Sequence, residues 1–315
     1  MRANLLRAVS HDLRTPLTSI GGYVDGLLEG IADTPLIISL RFCSFSRRCS
    51  TDFFSTIRIS SKSRHTSPNS SCHAFFNGEP EACRGQLLGM KVDRATSYGG
   101  YVEIEFGDKR LLLGDGVNIR YLEAKEKKPK KHQLLLTFED ESALVFSVAM
   151  YGAIWAYTEG ENDNYYHQVA REKPSPLSGE FNWEWFEGIV AAAKKNTSAK
   201  ALLATEQRIP GLGNGCLQDI LFNARVNPRT KLEYLTEEEL SRLFDSVKAT
   251  LHQMTVKGGR DTEKDIFGMK GGYKSILSKN TYKAPCPVCG GAIVKEAYLG
   301  GSVYYCPNCQ PNKNC

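Results

Sequence analysis

Apolar residues recur at helical spacing at the start of the chain: Leu5, Leu6, Val9, Leu13, Leu17, Ile20, Val24, Leu27 and Leu28. That is the stripe of an amphipathic helix, and Pro16 divides it because proline withholds an N–H and crowds the preceding turn. The stripe lacks the long apolar core and cleavage-site pattern of a signal peptide. From Ser39 to Cys72 neither helical stripe nor alternation persists, and the tract holds eleven serines, five arginines and three cysteines. Such a tract is expected to be disordered, a solvated linker or a polyanion-binding arm.

Patterning returns near Phe75. Between residues 86 and 157, V-D-R-A-T-S-Y, Y-V-E-I-E-F, R-L-L-L, Q-L-L-L-T-F and A-L-V-F-S-V are short apolar or alternating runs. Gly99-Gly100, Gly107-Asp108, Asp115-Gly116 and Glu139-Asp140 punctuate them, so a sandwich or barrel-like sheet is predicted. The lysine run from Lys125 to Lys131 falls on a loop between two of these strands. Residues 180–256 carry helical patterning. Helices are predicted to open at Phe181-Asn182-Trp183 and at Ser198-Ala199-Lys200, and a third at the capping box Thr236-Glu-Glu-Glu. A Gly/Lys-rich connection spans 257–283. The expected divisions are 1–35, 36–74, 75–170, 171–283 and 284–310.

Composition adds bounds. The 315 residues amount to about two domains. They are 41% apolar and 24% charged, with no window near ~18 uninterrupted apolar residues, which excludes collagen, wholesale disorder and a polytopic membrane protein. A net charge of +5 is compatible with a polyanionic partner without requiring one.

Of the ten cysteines, four form two Cys-x-x-Cys pairs, Cys286-Pro-Val-Cys289 and Cys306-Pro-Asn-Cys309. Two such knuckles place four thiolates at the corners of a tetrahedron, which suits Zn²⁺ at ~2.3 Å from each sulfur. The segment between them reads as a β-hairpin, so a ribbon with one structural zinc is predicted in a reducing compartment. The alternatives are two disulfides or an iron–sulfur centre.

Residues 198–228 read S-A-K-A-L-L-A-T-E-Q-R-I-P-G-L-G-N-G-C-L-Q-D-I-L-F-N-A-R-V-N-P. An amphipathic helix is expected to run to Ile209-Pro210, followed by a tight glycine-rich turn and a second helix. Glycines admit a phosphate close to the backbone, and the free N–H groups of the following helix face an anion. A glycine-rich turn between helices is also, more simply, just a turn.

The P-G-L-G-N turn, the preceding S-A-K-A-L-L and the C-P-x-C…Y-C-P-N-C-Q ending together resemble the formamidopyrimidine-DNA glycosylase/endonuclease VIII family, over about residues 66–310. The resemblance implies an α+β multidomain chain: an incomplete β-sandwich, a helix–two-turn–helix domain and a zinc ribbon. Its members excise oxidised bases from DNA and nick the abasic strand. Lys200 and Asn214 match the family's phosphate-gripping lysine and asparagine, with Gly213 beside them, and the implied partner is damaged or abasic double-stranded DNA. The expectation is a cytoplasmic, DNA-associated monomer with no membrane contact.

Three departures stand out. The family's nucleophile is an N-terminal proline amine followed by glutamate, whereas this sequence starts Met1-Arg2-Ala3 and carries the Ser/Arg-rich tract upstream of Phe75. Gly100 stands where many members keep a proton-donating lysine, and Gly301 where many have an arginine in the ribbon hairpin. No residue is therefore assigned to catalysis.

A-V-S-H-D-L-R-T-P-L-T-S-I at 8–20 resembles the phosphoacceptor box of sensor histidine kinases, with His11 matching the phosphorylated histidine and the likeness ending near residue 30. No Gly-rich ATP-binding segment follows. A join of a kinase-like frame, a shifted frame and the glycosylase-like frame would account for all three parts. Resequencing the gene tests it: the join fails if no nearby frame encodes a proline–glutamate start. Three readings follow in order: a base-excision glycosylase/lyase lacking its usual nucleophile, a non-catalytic zinc-containing DNA-binding protein, and a signalling fragment using His11.

Overall fold

The computed structural model describes residues 58–59, 76–77, 85–114, 116–130, 132–148 and 152–314. His11 and the amphipathic stripe of residues 1–35 lie outside the described residues.

Two sheets pack face to face. The five-stranded sheet runs β2 (Phe76–Asn77), β9 (Ile154–Thr158), β5 (Lys109–Leu113), β4 (Tyr101–Phe106), β3 (Arg94–Tyr98). The four-stranded sheet runs β1 (Arg58–Ile59), β7 (Leu134–Thr137), β8 (Ala143–Val148), β6 (Val117–Leu122). All pairings are antiparallel except that of β2 with β9. Strand β1 comes from the tract expected to be disordered. Strands β6 and β9 were not among the predicted runs.

Alternation explains the layering. In β4, Val102, Ile104 and Phe106 turn into the core while Tyr101, Glu103 and Glu105 take the other face. Ala95, Leu111, Leu113 and Ile154 join them from the same sheet, and Leu134, Leu136, Leu144 and Phe146 come from the facing one. Each fully buried side chain of this kind contributes about 1.5–3 kcal/mol.

The outer face of the five-stranded sheet is polar, and helix α1 (Tyr165–Glu172) covers it. Asn164 caps this helix through the His167 amide. The helix brings His167 and Ala170 down onto the strands.

The helical unit contains α2 (Trp183–Ala192), α3 (Ala199–Ala204), α4 (Asn214–Asn223) and α5 (Glu237–Val256). The expected N-caps form: Asn182 accepts from the Trp185 amide, Ser198 from the Ala201 amide, and Thr236 with Glu239 closes a complete capping box. Helix α3 stops at Ala204, short of the expected Ile209. The Thr205 hydroxyl and Arg208 Nη1 both donate to the Ala201 carbonyl, and Glu206 and Gln207 enter the left-handed region at φ 58° and 49°. The Ala201 carbonyl already accepts from the Thr205 amide, so these side-chain donors gather on the last carbonyl of the helix that has its helical bond.

An arm returns from the helical unit to the sandwich. Residues 257–273 leave α5 and come back, paired at Arg260↔Tyr273 and Lys264↔Lys270. At the tip the Asp265 carboxylate accepts from the Phe267 and Met269 amides at 3.0 and 2.7 Å. Ile266 is fully buried in the sandwich core, and its carbonyl accepts from the Tyr121 amide at 2.8 Å. The chain ends in a two-stranded ribbon, β10 (Val294–Tyr298) and β11 (Gly301–Tyr305).

Candidate functional site

The two turns that meet at the domain seam do so backbone to backbone. Gly99, between β3 and β4, has φ 58°, and a Cβ there would lie 2.8 Å from Pro210 Cβ. Gly211 has φ 79°, and its Cβ would lie 2.6 Å from the Gly99 carbonyl carbon. Both positions need a left-handed backbone and no side chain.

Helix α4 starts beside this seam. Gly213 is its N-cap, and with no side chain it gives the start of the helix no capping hydrogen bond. Asn214 is the first helical residue, exposed, and its Nδ2 donates to the Ser302 carbonyl at 2.9 Å. Lys200, from the first turn of α3, is only 3% exposed, and Nζ donates to the Tyr298 carbonyl. Burial holds its pKa below the usual lysine value. Lysine and asparagine thus converge on the ribbon hairpin from two helices, each bonded to a carbonyl on either side of its turn.

Gln218, which sequence reasoning did not single out, completes this junction. It is 2% exposed, donates to the Ser302 carbonyl at 3.1 Å, and accepts from the Tyr304 amide at 3.0 Å. A glutamine within a helical stripe gives no sequence sign of pairing with a strand far along the chain. Beyond the ribbon, Asn227 donates to the Gln310 carbonyl, Gln310 to the Val226 carbonyl, and Asn314 to the Arg229 carbonyl, at 2.7–2.9 Å.

The cysteine knuckles close on one point. The sulfurs of Cys286, Cys289, Cys306 and Cys309 all lie within 4.8 Å of one another, with Cys289–Cys306 at 3.4 Å and Cys286–Cys309 at 3.8 Å. A tetrahedron of thiolates at ~2.3 Å from zinc needs sulfurs about 3.8 Å apart. All four are free thiols, which removes the disulfide alternative. The Gly291 amide, donating to Cys289 Sγ, and the neighbouring Cys306 bring the Cys289 thiol down to about 6, against desolvation. Four protein ligands fill the shell, so this one zinc is structural.

Away from the junction, a second polar cluster lies under α1. Glu103, 3% exposed, accepts from the Tyr157 hydroxyl. His167 is fully buried; Asn162 Nδ2 lies 2.5 Å from its Nδ1, and its Nε2 faces Glu103 Oε2 across 3.7 Å. Burial, then the Arg171 charge, lowers its pKa to about 4, so the ring is neutral at pH 7 and this is not an ion pair.

Among the described residues no helix is long and apolar enough to cross a membrane.

Beyond residues 1–40, the comparisons with known proteins point to one family. The formamidopyrimidine-DNA glycosylase H2TH domain matches residues 173–265, and the zinc finger found in FPG and IleRS matches 284–312. The His Kinase A (phospho-acceptor) domain matches 1–40. The formamidopyrimidine-DNA glycosylase of Geobacillus kaustophilus is 28% identical over 240 residues, covering 74% of this chain and 86% of that protein. That of Legionella pneumophila strain Philadelphia 1 is 28% identical over 238 residues, covering 73% and 84%. Among solved structures, the Fpg protein of Thermus thermophilus is similar at TM-score 0.67 and 21% identity, covering 87% of this chain and 96% of that one. Lactococcus lactis Fpg in complex with DNA containing an abasic site gives 0.67 and 20%, covering 89% and 99%. At these identities the structural likenesses speak for the fold.

Proposed function

By its helix–two-turn–helix domain and its zinc finger the chain belongs to the formamidopyrimidine-DNA glycosylase/endonuclease VIII family, and we propose that it binds damaged or abasic duplex DNA in base-excision repair. The observation that carries this reading is the convergence of Lys200 and Asn214 on one hairpin, beside the N-terminus of α4 at Gly213. An ammonium, an amide donor and a helix N-terminus together form a phosphate grip that is indifferent to base sequence. The hairpin carbonyl takes one ammonium N–H and leaves two for a phosphate oxygen. The likeness to Lactococcus lactis Fpg, which was solved with abasic-site DNA, supports the same partner. The relatives are bacterial repair proteins, in keeping with a cytoplasmic monomer acting on DNA.

Excision of an oxidised base with nicking of the abasic strand extends the proposal. The step requires an amine that attacks the sugar C1′ and remains as an imine after the base departs. The second reading, DNA binding without this chemistry, is favoured by the Ser/Arg-rich tract that stands upstream of Phe75 in place of a proline–glutamate pair.

Borohydride trapping on a duplex with an abasic site, using the zinc-loaded chain, separates the two. A covalent adduct supports the glycosylase/lyase reading, and peptide mapping then identifies the amine. Salt-sensitive binding without an adduct supports the DNA-binding reading. A zinc-loaded chain that fails to bind the duplex at any salt concentration overturns both.

A further inference from the structure

Tyr298 closes β10, and two cations from separate parts of the helical unit flank its ring. Lys200 Nζ lies 5.9 Å from the ring centroid and the Arg229 guanidinium carbon 4.6 Å. Both distances are within reach of a cation–π contact, which holds a guanidinium flat and in place.

Arg229 is also fixed through its backbone. Its amide donates to Asn227 Oδ1 at 2.9 Å, and its carbonyl accepts from Asn314 Nδ2 at 2.7 Å. The turn is therefore pinned both from within and by the segment beyond the ribbon. The side chain itself is 42% exposed. Among the described residues its hydrogen-bond acceptor is Glu296 Oε1, at a long 3.4 Å. A guanidinium carries five N–H donors in a rigid fork, so most of its capacity is unspent. Lys231, two residues on, differs: its ammonium is drawn 3.7 Å from Glu233 and over the Tyr234 ring.

A stack of this kind could serve only to brace the ribbon, where a half-exposed pair contributes little. Bracing does not account for a fork whose donors are left open on the same aromatic ring that Lys200 approaches. We propose that Arg229 is a second phosphate contact, gripping the strand that Lys200 holds, with the Tyr298 ring as the platform that spaces the two cations. This rests on the DNA-binding reading above. Glu296 then acts as a placeholder acceptor that a phosphate oxygen displaces.

The test is a salt series of equilibrium binding to an abasic-site duplex, using the zinc-loaded full chain and its Arg229→Gln, Arg229→Lys and Glu296→Gln variants. Neutralising one phosphate releases about one counterion, so Arg229→Gln should make the slope of log K against log salt shallower by about one. Its affinity at low salt should fall roughly tenfold. Arg229→Lys should restore the slope, and Glu296→Gln should tighten binding. Zinc content and melting temperature report any purely structural effect. An Arg229→Gln chain with wild-type slope and affinity overturns the proposal, as does one that loses only stability. A wild-type chain with no salt-dependent binding instead overturns the underlying DNA-binding reading.

Discussion

The sandwich and the helical unit both bury polar side chains, but to different ends. Under α1, Glu103, Tyr157, His167 and Asn162 face one another, and the cluster stays within the sandwich and its covering helix. In the helical unit, Lys200, Gln218, Asn227 and Gln310 bond across to backbone of the ribbon, or from its far end back to the helices. The first arrangement closes on itself, with His167 Nε2 left as a buried atom without a hydrogen-bond partner. The second is a set of ties whose far ends exist only while the ribbon is folded. A ribbon this small has little core of its own, so the proposed phosphate grip depends on metal while the sandwich does not.

The sharpest way to break that contrast is to remove the zinc. Chelation, or Cys306→Ser, forfeits a binding free energy that for small zinc fingers is about 10–16 kcal/mol. The expected outcome is loss of ribbon structure and of DNA affinity, with the sandwich still melting cooperatively in calorimetry. A sandwich that unfolds together with the ribbon would erase the distinction.

A smaller effect probes the place where, among the described residues, the sandwich core takes in a side chain from the helical unit. Ile266 belongs to the helical unit by sequence and to the sandwich by packing. Ile266→Ala should cost about 2–5 kcal/mol through lost burial and the cavity left behind. The cost should appear in the sandwich transition, read by chemical denaturation. If it appears instead in the helical transition, the arm is not anchored where its packing places it.

The mildest test is pH, and the two units should respond with opposite signs. The pKa of His167 is lowered from 6.5 to about 4, so as pH falls through that window the unfolded chain takes the proton first and the sandwich loses stability. Burial raises the pKa of Asp219 from 3.8 to about 6, against the pull of its bonds from the Leu277 and Ile276 amides. Over that descent the folded carboxyl takes the proton first, and the helical unit gains stability. Each effect is on the order of 2–3 kcal/mol. Melting curves near pH 4.5 and pH 7 should show His167→Gln abolishing the acid loss and Asp219→Asn the acid gain. Parallel shifts in both variants would contradict the assignment.

What was legible in the sequence follows the range of the interactions involved. Y-V-E-I-E-F declares its buried face by alternation, Thr236 and Glu239 cap within one turn, and each Cys-x-x-Cys is a local knuckle. Helix α1 went unseen because the residues it buries are a histidine and an alanine, which leave no apolar stripe. Glu103 and His167 were not singled out, since their burial needs a sheet and a helix brought together by the fold. Ile266 sat in a Gly/Lys-rich connection beside Phe267 and Met269, with no periodicity to mark which of them enters a core. Lys200 was legible through a family resemblance, whereas its near-complete burial against the ribbon was not.

The glycine seam constrains how this protein can change over time. A substitution in a packed core is often rescued by a smaller residue across from it, as large and small exchange places. Gly99 and Gly211 bring no side chain to the seam, and trimming Pro210, whose Cβ would lie nearest one added at Gly99, still leaves backbone atoms 3.0 and 3.2 Å away. A methyl group at one of them cannot be compensated at the other, and the remedy must come from a shift of a whole turn. The angle between the sandwich and the helical unit is held by two positions where any added atom is excess.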